Sequence, residues 1–432
     1  ATSFVIVGKF DIAASLFEKL GREAGDFEAL KLAASLYDGN GDLARAQSAW
    51  AALVEGYSKQ PVRWQAALAS ARAYEEAGAD KEAAQAYKAC LIGPLEVEAE
   101  CGCRFAMMYE RLGDPSQAQH YFSRVAALHG KSKGGSPWIT FAKIRVAENL
   151  ERSFSFEPLR ASGSGSLTAD PAFMKALSSR LTAFEKVTKA YHEAVDAGGP
   201  WVASALDHIA VWATHFAEEI DGISPPEGGK PEERAHFKKE LASVSQPMRA
   251  KAHALWSEAF QKANSAQALT PSLGSISDHL SDADLKPRAQ GAAPSYAFAG
   301  ASASPNTDFK VAVIRTRERL SKTPNDADAW VEYGNVLALG LGKPKLARIA
   351  YERALGYSPK HADALNNLGI LPFEDWTQVG ESLRRFEAAI AVDEFHLAAK
   401  ANRAGLLSYY RLFGKARPLW NQVLIKLPSP NI

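Results

Sequence analysis

Between Leu30 and Val125 the chain repeats itself three times in register. Tyr37, Tyr74 and Tyr109 correspond, as do Gly41, Gly78 and Gly113, and Ala46, Ala83 and Ala118. Trp50, Tyr87 and Phe122 come next, then Leu53, Cys90 and Val125. The internal spacing is constant and describes two helices joined by a turn. Glycine ends the first helix because it enters the left-handed region without a side-chain penalty. The steps of four and three residues that follow draw one buried stripe on the second helix. A single hairpin of this size cannot bury its own apolar face, so the period of 35 to 37 residues predicts a solenoid of stacked helix pairs.

A second periodic region follows far downstream. In WVEYGNVLALGLGKPKLARIAYERALGYSP, Trp330, Tyr333, Gly334, Ala347, Tyr351, Ala354 and Pro359 form one unit, with one extra residue before Ala347. Leu365, Leu368, Gly369, Phe386 and Ala389 form another, and Ala416, Trp420, Val423 and Pro428 end a third. These residues resemble the signature of the tetratricopeptide repeat (TPR) family. The resemblance implies an all-α fold: a TPR-type α-α solenoid in two repeat blocks with a divergent helical insert between them.

It also implies a non-catalytic interaction scaffold, because first-helix residues of such repeats line a concave face that binds extended peptides or helices. In the first block those positions are Lys31, Ser35, Arg72, Glu75, Arg104, Met107 and Glu110. In the second they are Asn335, Asn366, Asn367, Asn402 and Arg403. Asparagine suits the task, since one amide donates to a peptide carbonyl and accepts from its N–H at once. Some family members grip a terminal carboxylate with Lys and Asn. Here Asn335 and Asn367 match two such positions, Val331 stands in place of the Lys, and Arg403 is one place off.

The blocks divide the chain into N-terminal repeats at 1–130, an insert at 131–285, an Ala/Ser/Pro/Gly-rich linker at 286–308 and C-terminal repeats at 309–432. Gly8, Ala13, Phe17 and Leu20 fit a second helix whose first helix is missing, so the chain reads as part of a longer polypeptide. Within the insert, Pro137 opens a helix reaching about Glu151, Asp170 caps a long one, and Pro200 restarts a third. Two further helices are expected, separated at Pro247. SGSG at Ser162–Gly165 reads as a joint, and Tyr296 and Phe298 favour docking of the linker on a neighbouring surface. A linker lying in the groove would close it to other peptides.

Fifty Lys and Arg against 49 Asp and Glu leave a net charge of +1, without the basic excess that nucleic-acid binding leaves. No apolar run is long enough to span a bilayer as a helix. The three cysteines read as buried free thiols, with one bridge from Cys90 to Cys101 or Cys103 as the alternative.

Asp38–Asp42 opens like a calcium loop but lacks its sixth-position Gly and twelfth-position Glu. GLGKP around Lys343 lacks the Ser or Thr of a phosphate loop. His208 and His215 are two helical turns apart, too far to share a metal. No metal, cofactor or catalytic residue is therefore expected. The alternative is an enzyme or carbohydrate-binding module in the insert, with Trp201, His208, Trp212 and His215 lining a pocket. In general style the arrangement also resembles large bacterial cell-envelope TPR proteins, including some associated with gliding motility. That resemblance implies a periplasmic or envelope setting and carries no residue role.

Overall fold

The computed structural model describes residues 1–57, 61–128, 136–156, 159–160, 170–225, 230–280, 296–304, 306–371 and 378–426. Every regular element among them is helical. Two compact units are formed, one from 1–97 with 290–432 and one from 98–289. The first two N-terminal repeats and the C-terminal repeats, which the sequence sets apart, thus share a unit, while the third N-terminal repeat, with Tyr109, Gly113 and Phe122, falls in the other. SGSG, residues 286–295 and 305 of the linker, and Pro428 lie outside the described residues.

The first unit begins with α1 (Thr2–Ile6), α2 (Phe10–Ala24), α3 (Phe27–Gly39), α4 (Leu43–Gly56), α5 (Val62–Glu76) and α6 (Asp80–Ala89). The turn glycines behave as their spacing requires: Gly41 and Gly78 take φ of +88° and +70°, where a side chain would be strained. Asp26 and Asp42 cap α3 and α4, each accepting a backbone N–H at 3.0 Å. Leu30, Tyr37, Ala46, Trp50 and Leu53 are buried together between the paired helices.

The chain returns to this unit with α14 (Phe309–Lys322), α15 (Ala327–Asn335), α16 (Pro344–Tyr357), α17 (Ala362–Ile370), α18 (Val379–Val392), α19 (Leu397–Tyr409) and α20 (Phe413–Lys426). The extra residue before Ala347 is absorbed where α15 continues as a π-helical turn, Val336–Gly340. Helix pairs close on their glycines. A Cβ on Gly334 would lie 2.3 Å from the Tyr351 ring, and one on Gly369 2.7 Å from Phe386.

The two blocks share one core. Trp330, Tyr333, Leu346 and Tyr351 cluster with Leu30, Tyr37 and Trp50, and Tyr333 donates to the Val5 carbonyl at 2.9 Å. Gly39 of α3 is packed so closely on Leu346 that a Cβ would sit 2.7 Å away. Lys345 pairs with Asp38 at 2.9 Å and Glu76 at 2.6 Å beside that contact.

Helix α7 (Leu95–Arg111) carries the chain into the second unit, which contains α8 (Pro115–Ala126), α9 (Pro137–Ser153), α10 (Pro171–Ala197), α11 (Val202–Asp221), α12 (Pro231–Ala266) and α13 (Leu273–Leu280). Asp170 caps α10 by accepting from the amides of Ala172 and Phe173. One expectation fails here: Pro247 does not separate two helices but lies inside the 36-residue α12. A Pro in a helix interior costs roughly 3 kcal/mol. The buried series Phe237, Leu241, Ala252, Leu255, Trp256 and Ala259 continues on both sides of it, and burial at about 1.5–3 kcal/mol per large side chain outweighs that cost.

The cysteines correct a second expectation. Cys90 and Cys101 are disulfide-bonded, and only Cys103 is a free thiol, fully buried and with its pKa pushed well up by that burial. Spacing alone cannot choose between buried thiols and a bridge.

Candidate functional site

The sequence places Asn335, Asn366, Asn367 and Asn402 on first helices of the C-terminal repeats. All four side chains are almost completely buried, at 0 to 1% exposure. What covers them is the chain's own segment 296–302, which runs across the concave side as an extended strand up to Ala299.

Asn402 accepts from the Ala297 N–H at 2.7 Å and donates to the Ala297 carbonyl at 2.9 Å. Asn367 does the same for Ala299, at 2.9 and 3.0 Å. Asn335 donates to the carbonyls of Ala299 and Ala301, both at 2.9 Å, and Asn366 to that of Ala297 at 3.0 Å. In an extended chain the polar groups of every second residue point the same way, so an alternating reading is what a strand offers.

The amides also bond one another. Asn402 donates to Asn366, Asn366 to Asn367 and Asn367 to Asn335, at 2.8 to 2.9 Å, and the Tyr351 hydroxyl closes the row on Asn335 Oδ1 at 2.8 Å. Both N–H groups of each asparagine amide are thereby used. Such a row is stable only when completely satisfied, because each buried amide left without a partner costs about 1–3 kcal/mol.

Glu332, Asn367 and Asn402 follow one another at intervals of 35 residues, so the same helix position in three successive repeats reads three successive points of the strand. Glu332, 2% exposed, accepts from the Ser302 hydroxyl at 3.0 Å and pairs with Arg315. The strand runs against the order of the repeats: Ala297 meets Asn402, Ala299 meets Asn367 and Ser302 meets Glu332.

Side chains fix the register. Tyr296 stacks near Phe386, with ring centroids 6.4 Å apart, and burial raises its hydroxyl pKa. Phe298 packs on the shared core, and Ala299 is 9% exposed. Gly300 turns the strand at φ +87°, and a Cβ there would sit 3.1 Å from both Val331 and Asp363. Val331 is itself buried, 1% exposed, beside that turn. Sequence reasoning found the asparagines but missed Glu332, Tyr351 and Arg315; the 35-residue step was the available signal for Glu332.

The remaining positions behave differently. Lys31 is exposed and 3.9 Å from Glu28, and Arg72 is half-buried. Glu75 accepts from the Tyr87 hydroxyl at 2.5 Å, and Arg403 pairs with Glu387 at 2.7 Å. In the second unit Arg104 is buried, ion-paired to Glu100 at 2.8 Å and lying 5.2 Å from the Trp138 ring centre, while Glu110 pairs with Arg145 and Met107 is half-buried.

The aromatic residues of the insert pack on neighbours. Trp212 stacks on Phe184 at 5.7 Å, His208 on Tyr191 at 4.9 Å, and Trp201 meets Phe141 at 5.3 Å. A cleft of about 280 Å³ in this unit is lined by Val195–Ala203 and Lys262–Ala268 residues and includes none of Trp201, His208, Trp212 or His215. Among the described residues no group of three or more His, Cys, Asp or Glu is placed to hold a metal ion, and no helix is long and apolar enough to cross a membrane.

A family model described as tetratricopeptide repeat matches residues 31–94 and 336–373. Solved structures that resemble the chain include the TPR2AB domain of yeast Sti1 in complex with a pHSP90 peptide, at 12% identity over 83% of this chain and 100% of that one, with a TM-score of 0.26. The human IFIT1 dimer with m7Gppp-AAAA is similar at 12% identity over 83% of this chain and 67% of that one, with a TM-score of 0.23. Likeness this loose says nothing about what the present chain binds. No curated protein matches it. The paired helices and their turn glycines agree with that match, and residues 31–94 and 336–373 carry tetratricopeptide repeats.

Proposed function

We propose that this protein is a non-catalytic scaffold that holds an extended segment of a partner protein by its backbone, in the concave groove of the C-terminal repeats. Repeats of this family generally mediate protein–protein interaction. One observation carries the reading here: the groove already holds an extended backbone, through amides that contact N–H and C=O of the same residue and ask little of its side chain. Lys31, Arg72 and Glu75 give the N-terminal repeats a charged second face for the same partner. A cell-envelope setting suits the disulfide state of Cys90 and Cys101, which oxidising compartments such as the periplasm sustain.

The test is a photo-crosslinking amino acid placed singly at Lys31, Arg72 or Arg403, with Arg234 on the insert as control, in the cells that make the protein. Adducts to a second polypeptide are expected from the groove positions and not from Arg234. Adducts independent of position, or none, overturn the reading.

A further inference from the structure

We propose that residues 296–302 are a built-in competitor for this groove, and that the external ligand is an extended polypeptide with the same pattern: an aromatic residue in the place of Tyr296, a second aromatic residue two positions on, a small residue next, and glycine immediately after it in the place of Gly300. The proposal rests on the groove reading above and deepens it by naming the ligand class and what must be displaced.

The pattern follows from contacts. Tyr296 lies over Phe386, and Phe298 packs on the core, so these positions take rings. Ala299 is buried against the asparagines that hold it, which leaves no room for a larger side chain. Gly300 is excluded from carrying a Cβ twice over, by its φ of +87° and by the 3.1 Å approach of Val331 and Asp363. At the far end Ser302 offers its hydroxyl to Glu332.

Among the described residues the amides address a short segment: Ala297 and Ala299 use both of their backbone groups, and a further amide bond reaches the Ala301 carbonyl. A tethered peptide of this kind competes at a high effective concentration, of the order of millimolar. A free peptide of equal intrinsic affinity is therefore shut out until the tethered copy is weakened.

The experiment uses the full chain and a fluorescein-labelled peptide of the sequence Tyr296–Ser304, read by anisotropy. Gly300→Val weakens the tethered copy without touching the asparagines. The variant, folded by circular dichroism, is expected to bind the peptide at least tenfold more tightly than the unaltered protein. Adding Asn367→Ala and Asn402→Ala, or placing Val at the glycine of the peptide, is expected to abolish binding. Equal peptide binding by the folded variant and the unaltered protein overturns the proposal, while groove crosslinks to a partner would still stand.

Hydrogen exchange on the unaltered protein decides the matter should Gly300→Val fail to fold. A displaceable segment exchanges the Ala297 and Ala299 amides at least a hundredfold faster than the core amides of α15 and α17. Exchange at the same slow rate as those helices shows a permanent part of the core and overturns the proposal.

Discussion

The two repeat blocks share a helix-pair plan and a core, yet line their first helices with opposite chemistry. In the N-terminal block the concave positions Lys31, Arg72 and Glu75 are exposed or half-buried and charged. In the C-terminal block the centre of the corresponding face is a row of neutral amides, buried at 0 to 1% exposure beneath the chain's own strand, and its charged members Glu332 and Arg403 are each ion-paired. Charge tolerates water and serves encounter with a partner; a row of amides away from water is stable only against another backbone. The sharing of a scaffold therefore fixes where a ligand can lie, and the side chains decide whether the site stands open or occupied.

The contrast is broken most severely by Asn367→Ala. That change removes both bonds to Ala299 and the links to Asn335 and Asn366, leaving the Ala299 N–H and one N–H of the Asn366 amide without partners. A loss of roughly 3 kcal/mol is expected in urea unfolding, together with faster proteolysis within 296–302. Glu332→Gln is next, at about 1.5–2 kcal/mol, because the charged hydrogen bond from Ser302 is weakened while the half-exposed Arg315 regains water. If Asn367→Ala is no costlier than Glu332→Gln, the row of amides is not the cooperative unit described above.

The junction between the blocks gives a smaller effect with a defined pH direction. Burial alone would lower the Lys345 pKa, but the hydrogen bonds and charges of Glu76 and Asp38 outweigh it and hold it above the ordinary value. A raised folded-state pKa contributes stability that is complete below the unfolded lysine value of about 10.4 and is lost as pH rises through the folded one. The side chain is 41% exposed, so screening limits the contribution to about 0.5–1 kcal/mol. Thermal unfolding followed from pH 9 to 12 should show that loss in the unaltered protein, and Lys345→Met should lack it.

Much of this fold could be read before any coordinates. The Tyr37, Gly41, Ala46, Trp50 series specifies a helix, a left-handed stop and a buried stripe, all of which are local properties of the chain. The extra residue before Ala347 was equally visible, although its accommodation as a π turn depends on packing around Gly340 and Phe309. Pro247 was misread because local propensity was weighed without the continuous burial of α12 that overrides it. The asparagines stand out for their chemistry, and Tyr296 and Phe298 pointed to docking of the linker, but not to which of its residues the amides hold. Ala297, Ala299 and Ala301 alternate with a period of two, yet they carry neither charge nor the polar contrast that marks a half-buried strand, and a strand that pairs through its backbone needs neither.

Lys31→Ala is the smallest change and tests the open side of the comparison. Lys31 makes an exposed pair with Glu28 at 3.9 Å, its side chain 46% exposed, and its charge also favours the ionised form of Glu352. Exposed pairs three or four residues apart on a helix contribute roughly 0.3–0.5 kcal/mol, and Ala returns part of that through its better helix propensity. The unfolding midpoint should therefore shift by less than about 0.5 kcal/mol in stability terms. A larger loss would mean that Lys31 is held in place by the fold, as Asn367 is, and the N-terminal face would then be another occupied surface rather than one left to a partner.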